Sequence, residues 1–168
     1  LRLGLPGRPA VVAAVQLARA VDELLQRRMF RRTRGGFGFS TPLLREAAYA
    51  GIGKADLAER HAALAKWAAA ARANHAGPGN VPGLNMTASS ADAFVAEHAE
   101  RAGKLADAVG LRPDAVARSA GPLGVQALGR VARRALATGE PTQAAQASER
   151  AAALAGGLLS AQDRLVHA

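Results

Sequence analysis

The stretch Phe37-Gly38-Phe39-Ser40-Thr41-Pro42-Leu43-Leu44-Arg45-Glu46-Ala47-Ala48-Tyr49 decides how the first part of this chain reads. Two aromatics alternate in a short extended segment, and Pro42 then opens an amphipathic helix over residues 42–50. Proline loses nothing at a first helical position, because that N–H has no partner inside the helix. Leu43, Leu44, Ala47 and Ala48 fall on one side of it. Large side chains are scarce here, so Phe39, Leu44 and Tyr49 are expected to anchor a core. On that expectation Phe39→Ala costs about 3–5 kcal/mol.

Upstream, residues 1–9 hold Gly4, Pro6, Gly7 and Pro9 and read as a loop. Residues 10–29 read as a helix, with Val11, Val15, Ala18, Val21, Leu24 and Leu25 at three- and four-residue steps and Arg27 and Arg28 in its last turn. Gly35-Gly36 between two short runs signals a hairpin, a small two-stranded wing near 29–39. Helix, ribbon and helix together make a winged-helix-like unit.

Downstream, Gly51 and Gly53 precede a long helix over 54–75, with Leu57, His61, Leu64 and Ala68 on one face and Trp67 beside them. Residues 76–90 are rich in Gly, Pro, Asn and Ser and read as a linker or long loop, whose Ser89 or Ser90 can cap the next helix. Further helices are expected at 91–109, at 114–119 and, as a pair, at 123–138 and 141–155. The pair and its Gly139 turn fit a tetratricopeptide-like repeat of about 34 residues. Its packing seam is expected at Leu128, Ala132, Ala144 and Ala151, since helices approach closely only where crossing residues are small. Residues 157–168 could open another helix. The domain reading is therefore a winged-helix-like helical domain at 1–75, a linker at 76–90 and a TPR-like region at 91–168.

Composition supports an all-α class. Hydrophobic residues make up 49% of the 168, yet aromatics only 4%, so the apolar content is largely Ala and Leu, strong helix formers. The chain has no Cys, which excludes disulfides and thiolate metal sites and suits a reducing, cytoplasmic setting. No apolar run reaches the roughly 18 residues of a membrane span. The chain begins at Leu1 and reads as a piece of a longer protein.

Charge is uneven. Residues 1–60 hold 11 Lys and Arg against 5 Asp and Glu, while 61–168 hold 11 against 8, within a net +9. Arg27, Arg28, Arg31, Arg32 and Arg34 form a basic run that can contact phosphates or an acidic protein surface, or can simply be a solvated face. Sequence-specific DNA reading would need polar side chains on helix 42–50, which offers mainly Arg45 and Glu46.

No catalytic constellation emerges. His61, His75, His98 and His167 are scattered, and a single His on a packed helix is most often structural. Glu97-His98 lacks the i, i+4 spacing of a helical zinc pair, so no metal is expected. Neither Gly35-Gly36-Phe37-Gly38 nor Gly51-Ile52-Gly53-Lys54-Ala55 completes a phosphate loop, because the Gly-Lys-Ser/Thr ending is missing. No cofactor-binding residue is assigned.

Phe37, Phe39, Leu43-Leu44-Arg45-Glu46 and Ala48-Tyr49, with Arg60-His61 and Trp67, resemble the segment that follows the ATPase core in bacterial STAND/AAA-type signalling ATPases fused to nucleotide cyclase or LuxR-type output domains. Phe94 to Gly103 resembles the family's next stretch, with Ala99 in place of the usual Tyr. Thr41 stands where the family usually has His, a residue that contacts nucleotide phosphate in the wider group. The resemblance implies a winged-helix-like part folded on a nucleotide domain, then helical repeats that sense a ligand or partner. ATP would belong to an upstream domain. The resulting expectation is a non-catalytic helical regulatory segment of a larger ATP-dependent signalling or transcription-regulatory protein, itself an ATPase or nucleotide cyclase, whose partners are a protein or neighbouring domains and not a membrane. The alternative is a basic winged-helix module that binds nucleic acid.

Overall fold

A computed structural model describes residues 8–33, 36–75 and 79–166, with side chains described for 15–33, 36–75 and 79–157. The described chain is mostly helical. It divides into two compact units, Leu1–Gly51 and Ile52–Ala168. The expected loop at the chain's start, apart from Arg8 and Pro9, lies outside the described residues, as do Arg34 and Gly35.

In the first unit, α1 (Arg8–Gln26) leads into an antiparallel pair, β1 (Phe30–Thr33) and β2 (Gly36–Phe39), and then α2 (Pro42–Ala50). Helix α1 stops before Arg27, not at residue 29. Arg28 takes a left-handed φ of 56°, and the Arg28 and Met29 amides donate back to the Leu25 and Leu24 carbonyls. That paired pattern closes a helix end, usually around glycine. Phe30 and Phe39 face each other across the ribbon and meet edge-on at 4.9 Å. Thr41 is the N-cap of α2: its hydroxyl accepts the Leu44 amide at 3.3 Å, and Pro42 follows at the first helical position.

The expected anchors of this unit are not enclosed. Phe39 and Leu44 are half-buried, Tyr49 is exposed, and no side chain of α2 is buried. Two helices and a two-stranded ribbon have too little surface to surround a side chain on all sides. The loss for Phe39→Ala is therefore below the range that full burial would imply.

In the second unit α3 (Lys54–Ala73), α4 (Ala88–Ala108), α5 (Gly121–Ala137) and α6 (Pro141–Val166) follow one another, each packed on the next. A 3₁₀ turn, Val116–Ala120, leads into α5. Ala58 at the start of α3 clusters with Ala106 at the end of α4, and Ala68 clusters with Ala88 and Ala91, so these two helices run antiparallel. The α3 face turned inward is Ala58, His61, Ala62, Ala65 and Ala68, while Leu64 and Trp67 are exposed. The sequence expectation weighted the large residues. The packing instead turns methyl groups inward, because alanines allow close axis approach.

The boundary between units falls at Gly51, ahead of α3, because α3 belongs with α4. Nor is 76–90 an open linker over its described part. Asn80–Val81 (β3) pairs with Met86–Thr87 (β4), and Val81 and Leu84 are buried against the α3–α4–α5 core. Thr87 caps α4 through the Ser90 amide, so α4 starts at Ala88 rather than residue 91.

Where α4, α5 and α6 meet, Gly124 is required by space. A Cβ there would lie 2.6 Å from the Ala99 Cβ and 2.6 Å from a Leu154 methyl. Gly139, at φ 75°, ends α5 and lets Pro141 open α6.

Candidate functional site

The strongest polar feature grows from one residue on the wrong face. The buried face of α4 carries Ala88, Ala91, Asp92, Val95, Ala96 and Ala99, and Asp92 is fully buried among them. A carboxylate so placed must be paired. Arg130 and Arg134, one turn apart on α5, donate from Nε to Oδ1 at 2.7 Å and from Nη1 to Oδ2 at 2.6 Å. Arg72, at the end of α3, brings a third guanidinium, with Nε 3.6 Å from Oδ1. Arg72 Nη1 donates to the His75 carbonyl. Three cations thus surround one carboxylate.

Beside this cluster an open cleft of about 480 Å³ lies between the ends of α3 and α5. Lys66, Arg72, His75 and Arg130 line it, with Gln126 and an apolar wall that includes Leu123. Arg72 Nε and His75 Nε2 are buried without a hydrogen-bond partner, as is Arg134 Nη2. No carboxylate is among the lining residues.

A second cluster sits on the α3–α4 interface. His61 is buried, and its Nδ1 lies 2.7 Å from the Nδ1 of His98. One ring must donate and the other accept, so the contact cannot survive with both rings protonated. The Phe94 ring packs on His98 at 4.1 Å between centroids. Desolvation lowers the pKa of both histidines. Positive neighbours, His98 and Arg101 for His61 and Arg101 for His98, push the same way, and Glu97 opposes them.

A third feature ties α4 to α6. Arg150 donates twice to Glu100, at 2.8 Å to each oxygen, which raises the pKa of the guanidinium. Next to it lies a cavity of about 220 Å³, whose lining includes Ala99, Gly103, Ala153 and Leu154 together with the charged Lys104, Asp107 and Arg118.

The residues singled out in the sequence are dispersed. Arg27, Arg28, Arg31 and Arg32 are exposed, and Arg34 lies outside the described residues. Arg27 pairs with Glu23 at 2.7 Å, and Arg32 stacks over the Phe37 ring at 5.5 Å. Arg31 and Arg32 are successive strand residues, so they leave opposite faces of the ribbon. Of the seam residues, Leu128, Ala132 and Ala144 are buried and Ala151 is partly buried; Ala147 joins them, while Ser148 is exposed. Among the described residues no three His, Asp or Glu side chains converge as a metal site would need, and no helix is long and apolar enough to cross a membrane.

In the sequence His61 and His98 stand as single residues, and Asp92, Arg130 and Arg134 belong to no recognised motif. The available signal was an acidic residue on an otherwise apolar helical stripe, and an Arg pair at i, i+4 on a later helix. Compared with protein-family models, curated proteins and solved structures, the chain matches none.

Proposed function

We propose that this chain is a non-catalytic helical regulatory and protein-interaction segment of a larger ATP-dependent signalling or transcription-regulatory protein. In this reading the first unit is winged-helix-like and the second is a TPR-like helical stack. The work is packing against neighbouring domains or a protein partner in the cytoplasm, and any ATP site lies in an upstream domain. The supporting observation is the surface of the first unit. None of its described side chains is buried, yet Val15, Leu17, Phe37, Leu43 and Tyr49 are large, apolar or aromatic and exposed. Apolar surface concentrated in so small a unit is the usual mark of an interaction face. The side-by-side packing of α3 to α6, each on its sequence neighbour, also suits a repeat-like stack that offers its outer surfaces to a partner.

The second reading, nucleic-acid binding by the basic ribbon, draws on the exposed Arg27, Arg28, Arg31 and Arg32. The outward division of Arg31 and Arg32, and the engagement of Arg27 and Arg32 with neighbours, weaken a continuous phosphate-binding strip. Fluorescence anisotropy with a labelled duplex at 50 and 200 mM salt separates the two. The interaction reading predicts no saturable binding at either salt. Tight binding that weakens by orders of magnitude over that range would replace it with the nucleic-acid reading.

A further inference from the structure

We propose that the cleft between the ends of α3 and α5 binds a small organic oxyanion, a phosphate monoester or a carboxylate. The ground for this is a count of charges. A carboxylate has two oxygens, and Asp92 offers each of them to one short guanidinium bond, from Arg130 and Arg134. Those two bonds compensate the buried charge. The Arg72 guanidinium is then surplus: its Nε stands 3.6 Å from Oδ1, too long for a hydrogen bond, and has no other acceptor. Its Nη1 is held by the His75 carbonyl, which fixes the fork in place.

The excess positive charge borders an open space. Lys66, Arg72 and Arg130, with His75, line one cleft; no acidic side chain is among the lining residues, and Asp92 is the one carboxylate among the described residues that Arg72, Arg130 and Arg134 share. His75 contributes its ring to the same wall. Three guanidiniums share one carboxylate, so the wall of the cleft keeps an excess of positive charge that an oxyanion would balance. A guanidinium fork suits both carboxylate and phosphate. At about 480 Å³ the cleft falls in the size range of small-molecule sites, and its alanines and Leu123 provide an apolar wall for the body of the ligand. The inference does not depend on the docking role of the first unit, since every residue it uses lies in the second.

The test is a titration of the 168-residue chain followed by ¹⁵N–¹H NMR, including the arginine Nε–Hε signals. Inorganic phosphate, phenyl phosphate and benzoate are the probes, with chloride at matched ionic strength as the blank. The expected result is a saturable shift of the Arg72 Nε–Hε signal and of amides in 66–75 and 123–130. Tighter binding of phenyl phosphate than benzoate assigns a phosphate ligand, and the reverse order a carboxylate. R72Q should weaken binding at least tenfold. K66Q changes an exposed side chain, so it should leave the thermal melt unaltered and weaken binding severalfold, which keeps the test decisive if R72Q does not fold. Shifts that never saturate, shifts that chloride reproduces, or affinity unchanged in K66Q would overturn the proposal, leaving the arginines with Asp92 as their sole purpose.

Discussion

Gly124 is the point at which three helices of the second unit meet, and it offers a prediction with a definite sign. In an exposed helix, Gly→Ala stabilises by about 0.5–1 kcal/mol, because alanine loses less backbone entropy. At Gly124 the added methyl would sit 2.6 Å from the Ala99 Cβ and 2.6 Å from a Leu154 methyl. Carbon pairs rest at about 3.5–4.0 Å, so roughly 1 Å must be found on each side. Leu154 can turn aside at its flexible end. Ala99 cannot, because its Cβ is fixed to the α4 backbone, so α4 and α5 must separate. Overpacking of that kind costs about 1–3 kcal/mol, which exceeds the entropic gain. Gly124→Ala should therefore destabilise by about 1–2 kcal/mol. The control lies on the same helix: a Cβ at Gly129 would meet only the end of the Arg133 side chain, at 3.7 Å. Gly129→Ala should be neutral or stabilising by up to about 1 kcal/mol. Urea unfolding of both variants, followed by far-UV circular dichroism, measures the difference. Equal midpoints for the two would show that the α4–α5 approach is not as close as described.

Asp92→Ala strands the two guanidiniums hydrogen-bonded to it, Arg130 and Arg134, and should cost about 3–5 kcal/mol in urea unfolding, the range for breaking a buried pair. Asp114→Ala, which removes the partner of Arg112 on the surface, should cost less than about 1 kcal/mol, and similar losses for the two would refute the buried role of Asp92. The His61–His98 pair sets a pH dependence. Both folded pKa values lie below the ordinary 6.5, so the unfolded chain takes up protons first as pH falls. The pair's contribution is whole above about pH 7 and is lost as pH drops below 6.5 toward the folded values. The urea midpoint should fall between pH 7.5 and 5.5 in the native chain and fall less in His61→Phe; an equal fall in both would remove the pair as the cause.

The helices were largely legible in the sequence because their ends carry local signals. Thr41-Pro42 marks the start of α2 by a cap and a proline, and Gly139-Glu140-Pro141 separates α5 from α6. Which face turns inward was not legible. In α3, alanine occurs all round the helix, so the few large residues dominated the pattern although Leu64 and Trp67 face solvent. The 76–90 stretch has a turn composition, and its Asn85 and Gly83 do take positive φ, at 50° and 81°. The burial of Val81 and Leu84 comes from tertiary packing on α3, α4 and α5, which local composition does not record. The polar cluster was hidden for the same reason. Asp92 lies 38 and 42 residues from Arg130 and Arg134, and the α4–α5 packing alone brings them together.

The central claim is that the exposed apolar residues of the first unit form a docking face. Hydroxyl-radical footprinting of Leu17, Phe37, Leu43 and Tyr49, read by mass spectrometry, addresses it directly when done on the isolated chain and on the proposed larger polypeptide. Leu64 and Trp67 of the second unit, also exposed, calibrate the labelling. The account predicts strong labelling of the four residues in the isolated chain and severalfold protection in the larger polypeptide or its complex with a protein partner. Equal labelling of those four residues in every state would contradict it.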